Sequence, residues 1–493
     1  MYAWHMFCGE KLRTLVSYPS SWPLHIVANA DPKMNMNTQR HFLRMTILAF
    51  AVSLIPALSS SQAGVGRKPN VVILFIDDLG YGDIGCFGST SIPSPHIDTL
   101  AEQGARLTMH YITNPPCSPS RCAVMTGMYA QRFHKFGMAR GLPIPADHPT
   151  MGEFMRDAGY VTGQIGKWDL GSEGQGPHER GFMQVARWPL GTLREDSYLC
   201  EKPDGSIVYR TNQDGDYMVE FVERNKDKPF FLYFSPFAIH GSFDGVPQAY
   251  KDRIKKDVTD DTLRDYGGSL VAVDEAVGKL LAVLKKHQLE EHTLIFLTGD
   301  NGPGKGGSPA PYAGGKSGGG GTQKEGWVHT PGIATWPGTI PAGTVYEGLS
   351  CTLDYYATAA TVAGVKAPER CDGKDLLPYL TGARKGDAHE FLYWYNADPK
   401  DASFHRLSAV RWKDWRIVQN QRSKEWQLFD IRQDPRETND LAERHGDIVK
   451  TMAAKHESFV SGLPSLDSIP GRTRIWAKPP VGWGWIIGDG KGE

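Results

Sequence analysis

The residues of this sequence best suited to chemistry fall into five short groups: Asp77-Asp78, Cys117 with Arg121, Lys167 with Asp169, His240, and Asp300-Asn301. Acidic pairs and an amide offer hard oxygen donors, which suit calcium or magnesium. In "NPPCSPSRCAVMTGMYAQR", Pro119 and Ser120 stand between Cys117 and Arg121, and an apolar helical pattern follows. Proline favours a helix's first turn, so the pattern predicts Cys117 at or just before a helix N-terminus. Unpaired amides and the helix dipole make that place receptive to an anion. Arg121, four residues on, lies one turn along the same face and can reach back to the cysteine. Its guanidinium brings planar donors for a charged oxygen. A buried structural cysteine is the commoner use of the residue type. The specific part is the whole string C-S-P-S-R, followed after three residues by M-T-G.

The elements that must position these residues are legible in the runs before them. "NVVILFIDDLG" is apolar until Asp77 and Asp78, and "HTLIFLTGDNG" ends in Asp300 and Asn301. "YVTGQIGKWDLG" leads to Lys167 and Asp169, and "PFFLYFSPFAIHG" runs on to His240. Short runs that are apolar throughout suit strands covered on both faces, as in a parallel sheet. Helical patterns such as "TMGEFMRDAGY" and "LRDYGGSLVAVDEAVGKLLAVLKKH" lie between them. The alternation predicts an α/β fold, with a mixed, largely parallel central sheet flanked by helices. Ligands of such sheets bind beyond the carboxyl ends of the strands. One acidic pair alone is commonly a solvated turn; two pairs after buried-type strands point to a hard cation.

Taken together, these strings resemble the type I sulfatases of the alkaline-phosphatase-like superfamily, from about Pro69 to the C-terminal segment. The resemblance implies hydrolysis of sulfate esters, with a sulfated glycan or sulfated small molecule as substrate. It implies one divalent metal, calcium favoured over magnesium, and conversion of Cys117 to formylglycine by a maturation enzyme. Asp77 and Asp78 match the family's first metal pair and Asp300 and Asn301 the second, with the modified Cys117 beside them. Arg121 matches the partner that stabilises the modified residue, Lys167 the lysine of G-K-W-H-x-G, and His240 the histidine after the middle strand. "WPGTIPAG" and "LFDIRQDPRETNDLA" look like later family signatures that carry no chemistry.

Two departures from the family pattern stand out. "GKWDLG" has Asp169 where the family has histidine. An aspartate accepts a proton but offers no positive charge to a sulfate, so Asp169 is expected to act as a base or in positioning. In "GGKSGGGGTQKEGWVHTPG" the glycine run Gly318–Gly321 separates Lys316 from Glu325, while Lys324 adjoins it. Both lysines are candidates for holding sulfate, and Lys316 is favoured. The nearest rival reading is a phosphoesterase or phosphonate hydrolase on the same scaffold. A degenerate, non-catalytic sulfated-glycan binder is the rival from another class.

The bulk properties set the frame. At 493 residues the chain exceeds what one core usually organises. A formal net charge of -1 gives no general attraction for nucleic acid or anionic membrane. Arg40, His41 and Arg44 precede the apolar run "MTILAFAVSLIPAL" and then "SSSQAG", an order that predicts a signal peptide cleaved near Ala63. That run is too short for a stable membrane span, and export to the periplasm or outside is expected. Initiation at Met34 or Met36 would set the basic residues near the start. Residues 1–63 are thus read as leader and signal peptide, 66–383 as the catalytic α/β domain, and 384–493 as a C-terminal part. In the last, "FLYWYN", "LSAVRWKDWRIVQN" and "WQLFDI" predict a small antiparallel sheet, and "TNDLAERHGDIVKTMAAKHESFVSGL" a helix on it. Export makes disulfides possible, and Cys351 and Cys371 are candidates to close a loop. Nothing in the sequence bears on oligomeric state.

Overall fold

A computed structural model describes residues 67–491, apart from 139–140, 190, 192–196, 317–322, 398–406, 421–422 and 472–476. The leader and signal segment, Cys8 and the Gly318–Gly321 run lie outside the described residues. Lys68–Glu493 forms one compact unit.

Its principal strands are β1 (Asn70–Ile76), β2 (Ala105–Leu107), β3 (Val161–Gly166), β4 (Gln184–Ala186), β5 (Phe230–Ser235), β6 (Thr293–Gly299), β7 (Gly332–Thr335) and β8 (Thr344–Tyr346). They are followed by β9 (Phe391–Asn396), β10 (Leu407–Trp412), β11 (Trp415–Gln419), β12 (Trp426–Asp430) and β13 (Trp485–Ile487). A nine-stranded sheet runs in the order β8-β2-β7-β6-β1-β5-β3-β4-β13. The five strands β6, β1, β5, β3 and β4 are parallel. The expected mixed, mainly parallel sheet is the one observed, and β9 to β12 form the small antiparallel sheet expected after it.

The helices that matter are α1 (Pro95–Gln103), α2 (Cys117–Thr126), α3 (Met151–Asp157), α4 (Arg210–Asn225), α5 (Asp261–Lys286), α6 (Asp354–Ala363) and α7 (Gly446–Ser461). Every residue of β1, β5 and β6 is buried, because side chains leave a strand alternately and both faces are covered. Val72, Leu74 and Ile76 pack with α4 and α5, whereas Val71, Ile73 and Phe75 pack with α2, α3 and α6.

Three details depart from the sequence reading. The last helix begins only at Gly446, because the Asp434 carboxylate accepts the Thr438 and Asn439 amides at 2.7 and 2.8 Å and holds that stretch in a turn. The chain end does not stay with the small sheet: β13 pairs with β4 at the edge of the large one, where Trp485 packs on Tyr217 and Phe221. Cys351 and Cys371 are not bonded to each other. Cys351 Sγ lies 3.5 Å from His389 Nε2, and Cys371 Sγ donates to Gly127 O.

The small sheet is tied to the large one through a buried ion network. Glu325 lies 3.1 Å from Arg416 Nε and 3.5 Å from Arg411 Nε, and accepts the Tyr111 hydroxyl at 2.6 Å. Glu437, in the "DPRETNDLA" signature, pairs with Arg416 and accepts the Glu325 amide at 2.7 Å. Burial alone would raise the Glu325 carboxyl. The His329 hydrogen bond and the charges of Arg411 and Arg416 outweigh burial and hold it at about 2, against a usual 4.5. A depressed carboxyl contributes stability above its unfolded value and loses it as pH falls toward its folded one. Glu325→Gln should therefore lower the unfolding free energy at neutral pH by ~3 kcal/mol. In urea melts the gap to the parent should narrow below pH 4.5. A gap that stays constant with pH would contradict the assigned ion network.

Candidate active site

Sheet register brings the site together. Ile76 of β1 pairs with Gly299 of β6, so the next residues, Asp77 and Asp300, emerge side by side from adjacent parallel strands. Gly166 of β3 pairs with Ser235 of β5, so Lys167 emerges beside the segment that runs on to His240. Gly166 has φ +90°, and a side chain there would collide with the Ser235 carbonyl, which accepts the Lys167 amide at 2.6 Å. Asp78 and Asp169 take left-handed backbone at φ 62° and 54°, a conformation aspartate tolerates better than most residues.

Cys117 is the first residue of α2 and fully buried, at the helix start the proline pattern predicts. Its Sγ lies 3.5 Å from both Asp77 Oδ1 and Asn301 Oδ1, and Lys316 Nζ donates to it at 3.2 Å. Lys316 Nζ also reaches Asp78 Oδ1 at 2.7 Å, and Asn301 Nδ2 donates to the same oxygen at 2.7 Å. Lys167 Nζ lies 2.5 Å from Asp77 Oδ2 and 3.9 Å from Asp169.

Arg121 does not turn back to the thiol. Its guanidinium is spent on Asp300 at 2.7 Å, on Ser235 Oγ and on Tyr233 OH at 3.3 Å, with Asp77 at 3.4 Å. Tyr233 and Ser235 were passed over in the sequence. The signal was there: two polar side chains at alternate positions near the end of an apolar strand. His240 is half-buried, and Ile239 beside it donates its amide to Asp77 O at 3.2 Å. Lys324 is the sequence candidate the structure leaves outside. Its Nζ donates to the carbonyls of Arg436 and Glu437, at 2.9 and 3.4 Å.

Charge explains what this basin would hold. One ligand atom from each of Asp77, Asp78, Cys117 and Asp300 lies within 4.8 Å of every other. Burial would raise Asp77, but Lys167, His240, Arg121 and Lys316 hold it well below the usual range. Asp300 goes the other way, to about 7, driven by burial and by the charge of Asp77, which Arg121 and Lys167 only partly offset. Crowded carboxylates that cannot all ionise comfortably are what a divalent cation relieves, and oxygen-rich donors fit a hard one. Burial, Asp300 and Asp77 push the Cys117 thiol up, so an unmodified cysteine stays protonated and weakly nucleophilic.

Comparison with known proteins bears on what such a basin does. The sulfatase family profile matches residues 69–365, and that of the N-sulphoglucosamine sulphohydrolase C-terminal region matches 323–460. Arylsulfatase A of Homo sapiens is 33% identical over 71% of this chain and 74% of its own length. N-acetylgalactosamine-6-sulfatase of Canis lupus familiaris is 31% identical over 69% of this chain and 71% of its own. Among solved structures, Ps i-CgsB in complex with k-i-k-neocarrahexaose superposes with a TM-score of 0.69, at 27% identity, over 80% of this chain and 93% of that one.

The metal reading has a direct check. Chelated protein should gain ~2.7 kcal/mol of thermal stability with calcium at about a hundred times its dissociation constant. Asp300→Asn should lose most of that gain, and an undiminished shift in that variant would remove Asp300 from the ligand set.

Proposed function

The chain belongs to the sulfatase family and hydrolyses sulfate esters, and on that premise we propose that its reacting centre is Cys117, matured to formylglycine, beside one divalent cation. One observation carries this reading: the Cys117 side chain stands at a helix start, in contact with Asp77, Asn301 and Lys316. Asp77, Asp78, Asp300 and Asn301 would hold the cation, with calcium preferred for its tolerance of crowded carboxylates. When bound, the cation and the aldehyde would supply charge neutralisation and the attacking oxygen.

The rest is work for this chain's own side chains. Lys167 and Lys316, each fixed against a carboxylate, would bind and orient the sulfate oxygens. Arg121 would keep Asp300 aimed into the basin rather than touch the substrate. As the S–O bond breaks, His240 would deliver a proton to the departing oxygen. Burial, Lys167 and Lys316 lower its basicity against the opposing pull of Asp77 and Asp78, so the imidazolium is a stronger acid than a free one but is populated at lower pH. Asp169 would act on Lys167, 3.9 Å away, rather than on the anion.

A sulfated carbohydrate is the substrate class we favour. Relatives named for an N-acetylgalactosamine 6-sulfate and a structure bound to k-i-k-neocarrahexaose support it. Export fits the order of basic, apolar and small residues before Ala63. No helix among the described residues is long and apolar enough to cross a membrane.

The test is made on protein from a host with a sulfatase-maturing enzyme. The peptide containing Cys117 should carry an aldehyde that couples to a hydrazide probe, and Cys117→Ala should lower sulfate release by about a thousandfold or more. A folded Cys117→Ala protein with full activity would end the proposal. The two lysines separate in the same assay. Lys316→Ala should cost about a hundredfold or more in kcat/KM, whereas Lys324→Ala should stay within about twofold, as for a surface contact. A reversal of those two results would place the wrong lysine on the sulfate.

A further inference from the structure

Lys167 and His240 lean on one aromatic ring. The Phe237 ring lies 5.7 Å from Lys167 Nζ and 5.4 Å from the His240 imidazole. The Arg210 guanidinium lies 5.7 Å from it as well, so two cations rest on the same apolar ring. Phe237 and His240 belong to the irregular segment after β5, which no sheet ladder holds in place.

What holds it is a handful of bonds. The His240 amide donates to Phe237 O at 3.1 Å, and the Ile239 amide to Asp77 O at 3.2 Å. The third anchor comes from a distant part of the chain. Tyr198 is fully buried, and its hydroxyl lies 3.0 Å from Phe237 O and also donates to His240 O. Both acceptors belong to the one turn, so the phenol closes it from outside. Tyr198 is itself braced, stacked on Tyr209 with ring centroids 5.6 Å apart and set 5.7 Å from the Phe237 ring. Burial pushes its hydroxyl well above the ordinary phenol range, so it stays a donor across the working pH range.

We propose that Tyr198 is a positioning residue for sulfate-ester cleavage: its hydroxyl fixes the Phe237–His240 turn, and through it the imidazole that protonates the leaving group. The inference rests on the reading of His240 as that proton donor. A proton donor works only within hydrogen-bond reach of its target, and misplacement by about 1 Å can cost a hundredfold. A core tyrosine with no such role would instead weaken turnover of every substrate alike.

Leaving-group dependence tells these apart. Matured parent, Tyr198→Phe, His240→Ala and the double variant are assayed for kcat and KM on 4-nitrophenyl sulfate and 4-methoxyphenyl sulfate. Nitrophenolate departs with little help, whereas methoxyphenol needs the proton. In Tyr198→Phe, kcat on the methoxyphenyl ester should fall about tenfold more than on the nitrophenyl ester, with KM little changed. His240→Ala should show the same selectivity, and adding Tyr198→Phe to it should cost nothing further. Selective loss in His240→Ala but equal loss on both esters in Tyr198→Phe would overturn the role of Tyr198. Equal loss on both esters in His240→Ala would instead overturn the proton-donor reading beneath it. Crystal structures of parent and Tyr198→Phe give a check independent of turnover: an unmoved, equally ordered His240 would sink the proposal.

Discussion

The site depends on one electrostatic constraint: three carboxylates buried together at the ends of adjacent strands. Asp77 and Asp300 continue β1 and β6, whose register fixes them as neighbours. Moving them apart would mean slipping a strand buried on both faces, and a slip by one residue would turn every side chain of that strand to the wrong side. The negative charge is therefore a fixed property of the sheet. Everything that offsets it arrives from elsewhere: Arg121 from α2, Lys167 from the end of β3, and Lys316 from the long loop after β6. A buried charge left alone is costly, so these arrivals stabilise the fold and set the chemistry at once.

That loop is irregular, and its described residues are pinned at several points. Gly82 donates to Ser308 O at 2.9 Å, and the Asp83 carboxylate accepts the Ser308 amide at 2.7 Å. The Lys316 amide returns to Pro303 O at 2.9 Å. Beyond it, Glu325 is locked by Arg411 and Arg416 of the small sheet and by Glu437. The "DPRETNDLA" signature, with no chemistry of its own, thus helps anchor the far end of the loop that delivers Lys316.

Much of this was legible in the sequence because the strands that build the site are buried on both faces and announce themselves by unbroken apolar runs. Four such runs marked four of the five parallel strands, all but the three-residue β4, and the polar residues after them supply much of the site. Less visible was anything that depends on long-range pairing. The short strands β2, β7 and β8 are too brief to carry a period, and β13 joins its sheet from the end of the chain. Helical spacing points Arg121 toward the cysteine, yet its guanidinium donates to Asp300 and Ser235 at the ends of neighbouring strands. Spacing along one helix does not reveal what a neighbouring strand offers. The Lys316 and Lys324 ambiguity arose the same way: the carbonyls of Arg436 and Glu437, more than a hundred residues away, take Lys324, while Lys316 lies against Asp78 and Cys117.

Asp169 shows how a site residue can change charge without disturbing the fold. Its backbone is left-handed, a conformation in which asparagine, aspartate and histidine are all enriched, so replacing the family's histidine by aspartate strains the turn little. What changes is the field. Lys167 already stands 2.5 Å from Asp77, and a second carboxylate at 3.9 Å leaves it between two anions. Burial works against its charge, but the carboxylates of Asp77 and Asp169 favour it, and the ammonium stays protonated. A histidine at position 169 would offer its own donor to the sulfate. Under the proposed roles the aspartate would leave the direct contacts to Lys167 and Lys316, and the lysine carried by the loop after β6 would be harder to spare than in a site with the histidine.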